Sequence, residues 1–307
     1  MSLKDYGAAQ EIFYKIPNSE EMKECPVCKT NRNKLIFHHI YDSQDIVQCE
    51  KCKLVFLNSS LQKAEWLEYI KKGLYLSSQK YIKNALARLQ KNKPGKLLDI
   101  GCGNGEFLYQ AQKLGWDVTG VELFEGNNLY NLPVKYGIFE EMDLPENYFD
   151  IVTFWGVTEY LIDPLKFFEK VKTVLKNSGK ILFVMSNYYS VQRAIMKVHN
   201  FPRQQLVWSM PSIKFLFEKV GLRIIKYDYR NDIRNGRCTE LITFLFKKIV
   251  LRKTEYQILL EHNSNIRERG FIIFIIKVLD RIITIPLSVM LSLLGYTGVV
   301  NITAKKI

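Results

Sequence analysis

Lys96-Leu97-Leu98-Asp99-Ile100-Gly101-Cys102-Gly103-Asn104-Gly105-Glu106 is the stretch whose reading decides the fold. Leu97 to Ile100 form a short apolar run with one acid, followed at once by Gly-x-Gly-x-Gly. Phe107, Leu108, Ala111 and Leu114 then recur at helical spacing, and Gly115 is placed to close that helix. A strand, a glycine turn and a helix form a unit whose backbone comes very close to a ligand. A Cβ would block that approach, and the turn often needs positive φ. The first N–H groups of the helix have no partner within it and point the same way.

Working outward, Trp116 to Glu122 reads as a second buried strand with an acid at its carboxyl end. Glu122 lies 17 residues beyond Gly105. In βαβ nucleotide sites an acid at an offset of roughly 20 grips ribose hydroxyls. A short helix is expected after Glu122, then a third strand near 132–138. Phe149 to Trp155 is apolar and β-branched, as in a central strand. Asp163-Pro164 reads as an N-cap and first helical residue, with Leu165, Phe168, Val171, Val174 and Leu175 as the buried face. Lys180 to Met185 is the next strand. Pro211 opens a helix that Gly221 ends, and Leu222 to Tyr227 is strand again. This βαβα alternation predicts an α/β fold with a parallel sheet covered on both faces.

The region before the glycine turn has a different chemistry. Cys25-Pro26-Val27-Cys28 and Cys49-Glu50-Lys51-Cys52 supply two of the six cysteines each. Two Cys-x-x-Cys knuckles at this separation suit a structural zinc held by Cys25, Cys28, Cys49 and Cys52. Four thiolates leave no open position for catalysis. Two unligated redox pairs are the alternative, and His38 and His39 lie between the knuckles. Residues 1–24 read as a polar tail without an apolar leader segment, so a cytoplasmic location is expected, where cysteines serve metal or redox work. Residues 25–57 read as the ribbon. Residues 58–95 read as two helices, broken near Gly73 and Ser77-Ser78, placed to cap the pocket, with Tyr75 and Tyr81 as aromatic lid residues.

The Gly-x-Gly-x-Gly turn with Asp99 two residues upstream resembles motif I of the class I S-adenosylmethionine-dependent methyltransferases. Further motifs extend the likeness to the ubiquinone-methylase-like small-molecule type: Leu144-Pro145 before Phe149-Asp150, Asp163-Pro164, Leu175-Lys176-Asn177-Ser178-Gly179-Lys180 and Ser186-Asn187. Cysteine pairs ahead of such a domain resemble a subgroup of sugar and cell-surface-glycan methyltransferases. The resemblance implies a three-layer, Rossmann-like, seven-stranded sheet whose last strand, antiparallel, is assigned to Val299–Lys305. It implies S-adenosylmethionine as cofactor. Asp99, Gly101, Cys102, Gly103 and Gly105 would hold the methionine end, Glu122 the ribose hydroxyls, and Glu140, Glu141 and Met142 the adenine, with Leu123 also at the cofactor. The family often reads Leu-Glu-His after its fourth strand. Here the residues are Thr158-Glu159-Tyr160, so Glu159 and then Tyr160 are the base candidates, ahead of Tyr188 and His199. Gly156 stands where the lipid-quinone methylases carry a second acid, which argues against a metal-assisted mechanism.

Charge divides the chain. Residues 91–187 hold 10 Lys and Arg against 13 Asp and Glu, whereas residues 188–307 hold 20 against 8. Basic surfaces attract phosphates of nucleic acid, nucleotide or lipid. Residues 96–230 read as the cofactor-binding core, 231–297 as a helical, basic and amphipathic insertion, and 298–307 as the final strand. Within 271–295, Lys277, Arg281, Thr284 and Ser288 share one helical stripe. Peripheral membrane contact is one reading of this segment; packing on the core or a second copy is the other. The three central charges, Lys277, Asp280 and Arg281, argue against a spanning helix. Three functions stay open: methyl transfer to a small-molecule or lipid-linked acceptor such as a sugar hydroxyl; methylation of RNA; and a zinc-ribbon binding protein with a vestigial cofactor fold. The absence of Asn-Pro-Pro-Tyr after strand four argues against DNA-base amino methylation.

Overall fold

The computed structural model describes residues 23–38, 45–58, 63–71, 79–126, 128–196, 204–230, 241–252 and 271–307. The expectations for the tail through residue 22 and for His39, Tyr75 and His199 lie outside them. Three short antiparallel strands come first: β1 (Asn33–His38), β2 (Asp45–Cys49) and β3 (Val55–Asn58). Helices α1 (Lys63–Lys71) and α2 (Gln79–Leu89) follow. Then β4 (Lys96–Ile100), α3 (Glu106–Lys113) and β5 (Asp117–Glu122) form the expected strand–turn–helix–strand unit.

The seven-stranded sheet is completed by β6 (Val134–Tyr136), β7 (Phe149–Trp155), β8 (Leu175–Ser186), β10 (Leu222–Asp228) and β11 (Val299–Lys306). Its order is β10-β11-β8-β7-β4-β5-β6. The pairs β6–β5, β5–β4, β4–β7 and β7–β8 are parallel, and β11 runs antiparallel between β8 and β10. The chain builds outward from β4 in one direction and then, from β7, in the other. Such a reversal leaves a crevice at the carboxyl ends of the strands, where ligands bind in open α/β sheets.

Helices α4 (Pro164–Val174) and α6 (Met210–Val220) flank one face. Their starts follow the capping chemistry read from sequence. Asp163 accepts the Lys166 amide at 3.1 Å, and Ser209 and Ser212 form a reciprocal capping box. The core on this face is aromatic: Phe154 stacks on Phe183 with ring centroids 4.7 Å apart, and Phe168 meets Phe217 edge-on at 5.1 Å. The other face is filled from α2 and α3 by Ile82, Ala85, Leu89, Leu108 and Ala111.

Two features depart from the sequence reading. Residues 123–133 contain no helix among the described positions. Gly126 turns at φ 110, and the Asn128 side chain both accepts the Leu132 amide and donates to its carbonyl, closing a loop. The second feature is β9 (Leu206–Val207), which lies between α5 (Val191–Met196) and α6 yet pairs with β3. Residues 25–57 therefore share a four-stranded sheet, β1-β2-β3-β9, with the core. Cys25, Cys49, Leu54 and Phe56 belong to the same buried cluster as Trp208, Leu216 and Phe217. Beyond β10, α7 (Leu241–Ile249) pairs with the long α8 (Phe271–Leu294). None of the described helices is long and apolar enough to cross a membrane.

Candidate active site

At the carboxyl edge of the sheet lies a cavity of about 660 Å³. Small-molecule sites occupy roughly 300–1,000 Å³. Its floor is the end of β4 and the glycine turn: Asp99, Gly101, Cys102 and Gly103 all line it. Gly101 is at φ +72, and a Cβ there would come within 2.6 Å of the Val157 side chain. At Gly103, φ is +58 and a Cβ would meet no protein atom within 4 Å. Glycine at 103 is thus not demanded by packing; its backbone is left bare toward open space.

Two buried acids stand beside this turn. Asp99 accepts the Thr153 hydroxyl at 2.6 Å. Burial pushes its carboxyl up to about 8; the Thr153 bond opposes that shift and the Glu122 charge adds to it. Glu122 accepts the Gly103 amide and the Leu123 amide, each at 2.7 Å. Burial raises its pKa too, against the pull of the Leu123, Gly103 and Phe124 amides. Carboxylates buried in this way at a cavity wall are suited to polar ligand groups that complete their solvation. The residues fit S-adenosylmethionine on this evidence: a backbone turn kept bare, with one acid at each of two adjacent strand ends.

Leu123, Glu140 and Glu141 also line the cavity, whereas Gly105 and Met142 do not. Gly105 is the N-cap of α3 and Met142 packs against the core. Tyr160 faces the cavity, but Glu159 does not. Glu159 is fully buried, and its carboxylate accepts the Ser186 amide at 2.6 Å. Tyr188 packs on the ribbon-side strands with Ile46 and Val207. The motif residue Asp150 is an anchor at the far end of β4, accepting the Lys96 amide and the Lys176 ammonium.

The roof comes from the two lid helices: Trp66 and Ile70 of α1, and Tyr81, Ile82 and Ala85 of α2. Trp66 and Ile70 stand at i and i+4 of α1, so both present to the same side. Sequence reasoning passed over Trp155, Val157, Leu161 and Ile162, which wall the cavity after β7. Their signal was position alone, since a strand next to the switch point must end there.

The four cysteines converge as expected. Their sulfurs all lie within 4.8 Å of one another, with Cys25–Cys52 at 3.5 Å and Cys28–Cys49 at 3.3 Å. A tetrahedron with Zn–S near 2.3 Å has edges of about 3.8 Å. The knuckles repeat one geometry. Lys29 and Lys53 are both left-handed, at φ 57 and 63, and donate to the Cys25 and Cys49 carbonyls. The Cys25 and Cys49 amides in turn donate to Thr30 and Leu54. Donor chemistry and spacing fit zinc.

Residues 75–227 match a family model described as a methyltransferase domain. The chain carries a methyltransferase domain of the S-adenosylmethionine-dependent class. This methyltransferase domain has curated relatives of limited overlap. A ubiquinone biosynthesis O-methyltransferase of Ruegeria sp. (strain TM1040) is 32% identical over 98 residues, covering 27% of this chain and 38% of that protein. A glycine/sarcosine/dimethylglycine N-methyltransferase of Actinopolyspora halophila is 31% identical over 134 residues, covering 36% of this chain and 23% of the relative. The chain thus spans well under half the length of either relative. Among solved structures, a SAM-dependent methyltransferase from Archaeoglobus fulgidus shares 22% identity at TM-score 0.47, covering 73% of this chain and 94% of that one.

Proposed function

We propose that the protein methylates a small-molecule or lipid-linked acceptor, with sugar and glycan hydroxyls the first class to test. The observation that carries this reading is the cavity itself, which runs from the bare Gly103 turn and the two buried acids to Tyr160 and the lid. When bound, S-adenosylmethionine supplies an electrophilic methyl group on a sulfonium. Asp99 holds the methionine end, Glu122 takes the ribose hydroxyls, and Glu140 and Glu141 lie at the adenine. The two lid helices cover the site with Trp66, Ile70 and Tyr81, excluding water and fixing the acceptor in line with the methyl group. Positioning of this kind can supply much of the rate of an in-line displacement.

A hydroxyl acceptor must also lose its proton. Tyr160 is our candidate for contacting that hydroxyl, since it faces the cavity on the turn after β7. Glu159, ranked first on sequence position, is engaged with the Ser186 amide and we assign it a supporting role. Zinc bound by Cys25, Cys28, Cys49 and Cys52 is structural in this reading, and the protein acts in the cytoplasm. The test is transfer of labelled methyl from S-adenosylmethionine to panels of sugars, glycolipids and phenols, with calorimetry of cofactor binding alongside. A folded protein that does not bind the cofactor overturns the proposal.

A further inference from the structure

We infer that the outer face of the α7–α8 hairpin is a docking surface for an anionic lipid bilayer. The hairpin has its polarity reversed. On α8, Asp280, Thr284 and Ser288 are buried, at the i, i+4, i+8 spacing of one helical side. The Asp280 carboxylate accepts the Ile242 and Thr243 amides and the Thr243 hydroxyl, capping α7 from its neighbour. Lys247 and Thr243 of α7 are buried as well. The opposite side of α8 carries Ile275, Val278, Ile282, Ile285, Val289 and Leu293, all exposed. Leu293 is 84% exposed, Ile282 63% and, on α7, Ile249 71%.

A helix pair in water turns its aliphatic stripe to the protein and its polar stripe outward. Here Asp280 and Thr243 satisfy one another inside, Thr284 bonds the Asp280 carbonyl of its own helix, and aliphatic side chains face out. Such a patch marks a contact with an apolar medium or partner. The flanks decide which. Lys277 lies on the polar stripe and Arg281 at its border with the aliphatic side, and both are exposed, as the basic residues of an in-plane helix are at headgroup level. Lys248 and Arg252 are exposed at the end of α7, in the part of the chain with 20 basic against 8 acidic residues. A second copy docked about a two-fold axis would set this basic rim against itself; anionic headgroups complement it.

The surface is fixed to the ligand edge of the sheet. Asn187, directly after β8, donates to the carbonyls of Gly295 and Thr297 at 2.9 and 2.8 Å, and the Val191 amide donates to Tyr296 at 3.0 Å. Docking would therefore hold the carboxyl edge of the sheet, where the cavity lies, close to the lipid plane.

The experiment is flotation of the full chain with phosphatidylcholine vesicles, with and without phosphatidylglycerol. Wild-type protein is expected to float with the anionic vesicles. Combined Ile249→Asn, Ile282→Asn and Leu293→Asn should weaken that binding about tenfold or more, with the melting temperature held. Combined Lys277→Gln and Arg281→Gln should weaken it about fivefold per charge on anionic vesicles only. Independently, the indole of Leu293→Trp should be quenched by brominated acyl chains. Absence of wild-type binding, or an unquenched indole, overturns the inference. So does a wild-type dimer that the triple asparagine variant splits without any vesicle binding. None of these readouts needs cofactor or turnover, so they stand or fall apart from the methyl-transfer proposal.

Discussion

The Glu122 carboxylate reaches back from the end of β5 to accept the Gly103 amide at 2.7 Å, joining the acid to the glycine turn it is paired with in sequence. One buried bond thereby fixes the relative height of two strand ends. The same carboxylate binds Leu123, so it is oriented from both sides before any ligand arrives.

Gly103→Val is expected to abolish cofactor binding. The substituted side chain meets no protein atom near its Cβ, so its steric effect falls on the open space above the turn. A β-branched residue at φ +58 adds backbone strain of about 1–2 kcal/mol, which a thermal melt will show. Unchanged affinity by calorimetry in a folded variant removes the assignment of the turn to the cofactor.

Tyr160 and Glu159 should separate cleanly. Tyr160→Phe is expected to lower turnover by roughly 10²–10⁴-fold with cofactor affinity retained, if the acceptor is a hydroxyl. Glu159→Ala should instead cost about 1–3 kcal/mol of stability, because the buried Ser186 amide loses its acceptor. Turnover of the tyrosine variant within a few-fold of wild type would point to an acceptor that needs no deprotonation.

Much of this site was legible in the sequence, and the limits have physical causes. The glycine turn and Glu122 were readable because spacing along a βαβ unit fixes where backbone and acid meet, whereas Asp99 entered through the family resemblance. Glu159 was misjudged as a group facing the ligand, since position after a strand does not set the direction of one side chain on a 3-10 turn. The stripe through Thr284 and Ser288 was visible as a period, but a period does not say which side faces the protein. A two-residue strand such as β9 has no period at all, so the joining of ribbon and core left no trace in the pattern.

Stability should fall as pH rises from about 4 to 8 through Asp99. Its carboxyl titrates at about 8 in the fold, against 3.8 for an unperturbed aspartate. Across that window the unfolded chain ionises this group and the folded chain does not, so the unfolded state is favoured increasingly with pH. Asp99→Asn should flatten that part of the melting temperature profile. Cofactor binding near neutrality should release up to one proton, read by calorimetry in two buffers, because the ammonium of the methionine end favours the anion. An identical pH profile for Asp99→Asn would rule out this group as the source.

One zinc per chain is expected, and its removal should disturb more than the ribbon. The Gln205 amide donates to the Glu159 carbonyl at 2.8 Å, and the Trp208 indole donates to the Thr158 carbonyl at 2.9 Å. The segment around β9 thus holds β3 on one side and the turn bearing Tyr160 on the other. Chelation should lower the melting temperature in a single transition and reduce turnover with it. Metal-replete protein without zinc by elemental analysis, or a ribbon that melts alone, contradicts this.

The pairing of β3 with β9 also bears on biosynthesis. Leu206 leaves the ribosome long after Cys25, Cys28, Cys49 and Cys52 have emerged. At roughly 5–20 residues per second, the interval is about eight to thirty seconds. Through that time the knuckles can capture metal, but β3 keeps an unpaired edge, which is open to strands of other nascent chains. Swapping this ribbon onto another catalytic core would require grafting residues 204–209 with it, since its last strand is encoded on the far side of the active site.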